Sequence, residues 1–333
     1  MHLVQLAGQE NRVVAIVDGN ALLPLSQYRS IYQLAFTAID RARTIPELLQ
    51  NAGMESALNY DEVYEGKSSW RLLPSFDHPS DPAHLTVSGT GLTHKASAEN
   101  RAAMHQKEAV TVTDSMRMYQ LGMEGGRPPQ GSIGVQPEWF YKGDGSILKA
   151  HGDELMVPSF ADDGGEEPEI AGTYVIARDG QPYRVGLTIG NEFSDHVMER
   201  KNYLYLAPSK LRECSLGPAL WIDPEPFADV AGTIAIERQN AILWKAKIYS
   251  GGNNMCHSIA NIEHHHFKYE LHRRPGDAHI HFFGADAFSF GENVRLQDGD
   301  VMEVSFPTFG RPLRNTLKIA GKGQNLISVQ RLS

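Results

Sequence analysis

Glu167-Pro168-Glu169-Ile170-Ala171-Gly172-Thr173-Tyr174-Val175-Ile176-Ala177 closes a dense acidic run, Asp162 to Glu169, and passes without a break into an apolar strand. On a strand, side chains two apart share a face, so Glu167 and Glu169 present their carboxylates to the same side. Like charges so placed repel unless a cation lies between them. A third acid, Glu192, stands in Ile189-Gly190-Asn191-Glu192-Phe193-Ser194, at the end of the next strand candidate. If the two strands pair, three carboxylates converge. Hard oxygen donors without His or Cys favour Mg2+, Mn2+ or Ca2+ over Zn2+. The spacing alone also fits a solvated acidic strand end.

Working outward, short β segments separated by Gly, Pro and Asp continue from Leu85 to the C-terminus. They include Tyr183 to Ile189, Ile234-Ala235-Ile236, His279 to Phe283 and Val301 to Phe306. Helical patterns are few there, with Asn253 to Phe267 the best. Before Leu85 the chain reads as a small α/β module: a strand at Val13 to Val17, a helix with apolar spacing over Tyr28 to Ala42, and a capping-box pattern at Thr44 and Glu47. The Pro-, Ser- and Asp-rich stretch from Leu72 to Pro82 marks a boundary, giving an N-terminal domain over residues 1–80 and a larger one over 81–333. The expected class is α+β and β-rich, with a rolled or sandwiched sheet.

With 333 residues, 41% of them hydrophobic and 21% charged, the chain can bury a sizeable core. A net charge of -9 and the absence of any Lys/Arg run argue against nucleic acid as a partner. No apolar stretch approaches the roughly 20 residues of a membrane span, and no leader pattern opens the chain. Two cysteines, Cys214 and Cys256, suit a reducing compartment and read as small core residues. A cytoplasmic protein is the expectation.

Several further blocks flank the acidic strand in order. Pro137-Glu138-Trp139-Phe140-Tyr141-Lys142 precedes Glu167-Pro168-Glu169-Ile170-Ala171; Asn191-Glu192-Phe193-Ser194, Ser209-Lys210 and Gly217-Pro218 follow. Gly299-Asp300-Val301 and Gly310-Arg311-Pro312-Leu313-Arg314-Asn315 close the series. Together they resemble the fumarylacetoacetate hydrolase (FAH) superfamily over roughly Val87 to the C-terminus. Glu192 stands where that family usually has Asp, His196 replaces an Arg typical of its hydrolytic members, and Gly284-Ala285-Asp286 takes the place of a Gly-Thr turn. Gly89-Thr90-Gly91-Leu92-Thr93-His94 with Ser97-Ala98-Glu99, and Tyr203 to Lys210, are similar to the bacterial 2-keto-3-deoxy-pentonate (L-arabinonate) dehydratase branch.

That resemblance implies an FAH-like mixed β-sandwich roll, a homodimer, and Mg2+ held by Glu167, Glu169 and Glu192. The implied activity is a carbon–oxygen lyase turning a 2-keto-3-deoxy-pentonate, a small 2-oxo sugar acid, into 2,5-dioxopentanoate. Three carboxylates and one divalent ion sum to a negative charge, so nearby cations are needed, and Lys142 and Lys210 are the candidates. His94 is the candidate base for the C3 proton and acid for the C4 hydroxyl, with Glu99 orienting it. Substrate contacts fall on Thr93, Ser88, Asn191, His196 and Ala285. Alternatives on the same scaffold are a 2,4-diketo-3-deoxy sugar-acid hydrolase, a 2-oxo acid decarboxylase, or a non-catalytic sugar-acid binding protein. Glu263-His264-His265-His266 lacks the i, i+4 spacing of a helical zinc site and reads as polar surface or interface. Gly251-Gly252-Asn253-Asn254 has no following Lys-Ser/Thr and reads as a turn and cap. Gly145-Ser146 has no triad context.

Overall fold

A computed structural model of the chain describes residues 1–9, 11–105, 113–222, 227–321, 323 and 326–332. Two sheets form its framework, one of twelve strands and one of five among the described residues. The strand Pro168–Ile176 is buried at every position, which explains why its sequence from Ile170 on reads as one apolar run. It pairs antiparallel with Pro182–Asn191 on one side and with Ala278–Phe282 on the other. Beyond Ala278–Phe282 lies Leu85–Gly89, parallel to it, and then Phe140–Asp144. On the opposite side, Pro182–Asn191 is followed by Cys214–Trp221.

The large sheet is covered on both faces. Ala171, Val175, Leu216 and Ile280 pack with Ile31, Leu34 and Ala35 of the helix Ile31–Asp40. Ile170, Leu187 and Ile189 instead meet Ile234, Val304 and Leu313 of the five-stranded sheet. The helix expected over Tyr28 to Ala42 begins only at Ile31 because Ser30 caps it, its hydroxyl accepting from Gln33 N at 3.0 Å. The capping box at Thr44 and Glu47 is formed. Mixed α and β elements in two layered sheets bear out the β-rich α+β expectation. The strands of the first 80 residues extend the large sheet, since His2–Ala7 pairs antiparallel with Cys214–Trp221.

Two expectations need correcting. The later part of the chain is not poor in helix: Lys95–His105 and Asp114–Gly125 are both helical. Neither carries a strong stripe of large apolar side chains, so periodicity does not mark them. The histidine run is not a polar surface either. His265 and His266 are buried, on the helix Ile259–Phe267 that Ser258 caps. His266 stacks on His272 with ring centroids 4.5 Å apart and lies 3.1 Å from His279 (Nε2 to Nδ1). His281 bridges the hydroxyls of Ser88 and Thr90 at 2.8 and 2.7 Å. Hydrogen bonds to neighbours let neutral imidazoles sit in the core, a burial that sequence spacing does not reveal. Among the described residues, no helix is long and apolar enough to cross a membrane.

Burial first, and then neighbouring imidazoles, hold His279 and His281 down to about 3 and His266 well below the usual histidine value. Below the unfolded value of 6.5 only the unfolded chain takes up these protons. Their contribution to stability is therefore complete above that pH and is lost as pH falls toward the folded values. The urea midpoint should drop between about pH 7.5 and about pH 5, and drop less in His279→Asn. An equal drop in both proteins would contradict this account.

Candidate active site

The two strands that carry the acids pair as the sequence suggests. Pro168 sits opposite Asn191 and Glu169 opposite Gly190, and Glu192 N donates to Glu167 O at 2.9 Å just beyond the ladder. Asn191 fixes this corner: its Oδ1 accepts from the backbone N–H of Glu167 and of Phe193, both at 3.1 Å. Glu167, Glu169 and Glu192 are 6%, 2% and 0% exposed. Each offers a carboxylate oxygen within 4.8 Å of the others, a spacing that suits one shared cation.

The two lysines complete the cluster. Lys210, fully buried at the end of the short helix Leu206–Lys210, places Nζ 2.5 Å from Glu167 Oε1, 2.5 Å from Glu192 Oε2 and 2.9 Å from Ser194 Oγ. Lys142, fully buried in Phe140–Asp144, lies 2.7 Å from Glu192 Oε1 and donates to the carbonyls of Phe193 and Lys210. Burial opposes charge on Lys210, but Glu167 and Glu192 outweigh it and keep the ammonium protonated. Burial would likewise push Glu167 up, yet Lys210 and His196 hold its carboxyl well below the usual range. Glu192 and Lys142 are each driven toward the neutral form by burial, against their mutual attraction. Glu169 is pushed well up by burial and then by the charges of Glu192 and Glu167. It accepts from Gly284 N at 2.7 Å and makes no ion pair among the described residues. The trio therefore needs more positive charge than the two lysines give, and Glu169 is where it is missing.

His94 is 1% exposed and follows Leu92, a non-glycine residue at φ 56°. Its Nδ1 lies 2.9 Å from Thr93 Oγ1, which in turn reaches the Phe283 carbonyl at 2.6 Å. The neighbouring amide, Gly284 N–H, is the one that holds Glu169. Burial lowers His94 to about 4, so its ring is neutral at working pH. Glu99 does not orient it: on Lys95–His105 it points to solvent and pairs with Lys95 at 3.5 Å, the ordinary i, i+4 contact of an exposed helix face. Of the expected substrate contacts, Ser88 is engaged by His281 and Asn191 by the backbone of the acidic corner. His196 reaches Glu167 Oε1 at 3.1 Å and stacks on Phe288 with centroids 4.8 Å apart. Ala285 is buried beside Phe288 and Phe290.

Sequence reasoning missed Arg101. It is buried on the helix Lys95–His105, with Nη1 2.7 Å from Glu138 and Nε 2.5 Å from Glu199, so it ties the segment after His94 to the walls of the site. Glu166 was missed as well; it accepts from Ser289 N at 2.6 Å and Ser289 Oγ at 3.0 Å. Glu166 lies within the acidic run and Arg101 two residues after Glu99, and only their partners reveal them.

No family model matches the chain. The 2-dehydro-3-deoxy-D-arabinonate dehydratase of Saccharolobus solfataricus is 22% identical over 311 residues, covering 86% of this chain and 95% of that protein. A probable 2-keto-3-deoxyxylonate dehydratase of Haloferax volcanii is 26% identical over 180 residues, 53% of this chain and 58% of that one. A solved structure of 2-keto-3-deoxy-D-arabinonate dehydratase, complexed with magnesium and 2,5-dioxopentanoate, superposes with a TM-score of 0.72 at 18% identity over 97% of this chain and all of that one. The chain has the fold of this solved dehydratase. These relatives bear out the resemblance read from the ordered motifs. Within this dehydratase fold, the departure at Glu192 is accommodated by two lysines and Ser194, which together engage both of its oxygens.

Replacing Lys210 by Met leaves Glu167 and Glu192 buried without their shared ammonium. Breaking such a pair costs about 3–5 kcal/mol, so urea unfolding of the variant should show a loss of that order. An unchanged midpoint would mean the carboxylates do not depend on this cation.

Proposed function

We propose that the protein is a Mg2+-dependent dehydratase of a 2-keto-3-deoxy sugar acid, converting 2-keto-3-deoxy-pentonate to 2,5-dioxopentanoate. The convergence of three buried carboxylates within 4.8 Å carries this reading. The donor set fits the metal, because it is all oxygen, and Glu169 has no ion pair among the described residues. Support also comes from the dehydratase names of both curated relatives and from the magnesium and 2,5-dioxopentanoate of the superposed structure.

Glu167, Glu169 and Glu192 would hold the ion, which when bound supplies Lewis-acid stabilisation of negative charge at the keto oxygen of a 2-oxo acid. The residues of the chain do the rest. Lys210 and Lys142 balance the carboxylates and let an anionic substrate approach. His94, neutral and buried, takes the proton from C3; the same imidazole then gives it to the departing C4 hydroxyl, which leaves as water. Tautomerisation of the unsaturated product yields the terminal aldehyde. Arg101 holds the helix after His94 against Glu138 and Glu199.

The homodimer and the cytoplasmic location belong to the same reading. Exposed Ile242, Leu243 and Tyr249 on the outer strand of the smaller sheet support self-association, which sedimentation at several protein concentrations tests.

Incubated with Mg2+ and each enantiomer of 2-keto-3-deoxy-pentonate, the protein should form the semialdehyde from one of them, and EDTA should abolish turnover. Glu169→Gln should remove both turnover and the rise in melting temperature caused by Mg2+ with pyruvate. His94→Ala should keep that rise while kcat falls by roughly 10²–10⁴-fold. Pyruvate release from a 2,4-diketo acid, without semialdehyde formation, would favour the hydrolase; a melting shift with no turnover of any 2-oxo acid would favour a binding protein.

A further inference from the structure

The carbonyl oxygen of Phe283 carries no proton, so its 2.6 Å contact with Thr93 Oγ1 is held by the threonine hydroxyl proton. With that proton committed, Thr93 Oγ1 can only accept at its 2.9 Å contact with His94 Nδ1. The hydrogen of the neutral imidazole therefore sits on Nδ1 and the lone pair on Nε2. Nε2 is buried and has no hydrogen-bond partner among the described residues. We infer that Thr93 is a positioning residue: its hydroxyl locks His94 in the Nδ1–H tautomer and so makes Nε2 the atom that receives a proton. The catalytic consequence rests on the dehydratase reading, whereas the tautomer follows from the donors and from the burial of an unpartnered Nε2, which keeps the ring neutral.

The surroundings serve this arrangement. The Phe283 carbonyl and the Gly284 N–H belong to one peptide unit, whose other end donates to Glu169 Oε2 at 2.7 Å. A single rigid plane thus spans the distance from the threonine on the base to a carboxylate of the trio, and it fixes one relative to the other. Gly284 adopts φ +98°, and a Cβ there would lie 2.1 Å from Thr93 Oγ1. Only glycine leaves room for the hydroxyl. The backbone of Thr93 is fixed too, its carbonyl accepting from Cys256 N at 2.8 Å. Glu99, exposed on the following helix, takes no part. Ring orientation set by a hydrogen bond on the far nitrogen is how a neutral histidine is made to present one nitrogen to a substrate.

The test uses the full chain with 15N-labelled histidine, whose two neutral tautomers give different patterns of ring-nitrogen couplings and shifts. His94→Gln identifies the His94 signals among the fourteen histidines. Wild type and Thr93→Ser should show His94 protonated on Nδ1, and Thr93→Val should lose that pattern. In the dehydratase assay with Mg2+ and 2-keto-3-deoxy-pentonate, Thr93→Val should lower kcat by roughly 10–100-fold with KM changed by less than about 2-fold, and Thr93→Ser should recover most of the loss. Protonation on Nε2 in the wild type overturns the proposal. So does a Thr93→Val variant that raises KM at unchanged kcat, which would make Thr93 a substrate contact. If the wild type turns over no sugar acid, the dehydratase reading fails and the spectra still decide the tautomer. If Thr93→Val does not fold, the wild-type and Thr93→Ser spectra decide it.

Discussion

Burying an ion costs several kcal/mol unless partners replace its water, and this fold buries five ionisable groups against one another. Lys210 alone bridges two of the three carboxylates, and Lys142 takes the remaining oxygen of one of them. Every strand around the corner serves that arrangement. The central strand carries Glu169 with Glu167 just ahead of it, its neighbour ends one residue before Glu192, and the strand Phe140–Asp144, at one end of the large sheet, brings Lys142. The attraction between Lys142, Lys210 and two of the carboxylates is satisfied within the cluster itself. Its one unbalanced member, Glu169, defines where added positive charge is welcome.

The backbone supplies the second level of order. Asn191 uses one oxygen to satisfy two amides on different sides of the acidic corner, so the residue expected to contact substrate acts through the chain path of the ligands. Gly284 gives its N–H to Glu169 and its lack of a side chain to Thr93. His196, lying flat against Phe288, shares Glu167 Oε1 with Lys210. A longer acid at position 192 is tolerated because its carboxylate is anchored by Lys142, Lys210 and Ser194.

Much of this was legible in the sequence. Alternation on a strand placed Glu167 and Glu169 together, and the strand ending at Asn191 supplied the third acid. Charge balance called for Lys142 and Lys210, and both lie in the cluster. The partners of each group were not legible. Glu99 stands five residues after His94 and faces solvent, whereas the adjacent Thr93 holds the ring through a carbonyl 190 residues away. Arg101 sits on a helix whose composition hides its periodicity. His265 and His266 read as polar surface or interface until stacking and hydrogen bonds with distant segments show how neutral rings fill a core. Local pattern reports which face a side chain takes; it is silent on contacts that the fold creates across long stretches of chain.

The union of His2–Ala7 with Cys214–Trp221 sets the order in which a ribosome can complete the molecule. At a synthesis rate of about 5–20 residues per second, the first strand waits on the order of tens of seconds for its partner to emerge. Throughout that interval the edge at Leu3 and Val4 is open to other nascent chains. Chaperones that shield nascent chains therefore have a client surface in this strand, far in sequence from the residues that make the chemistry.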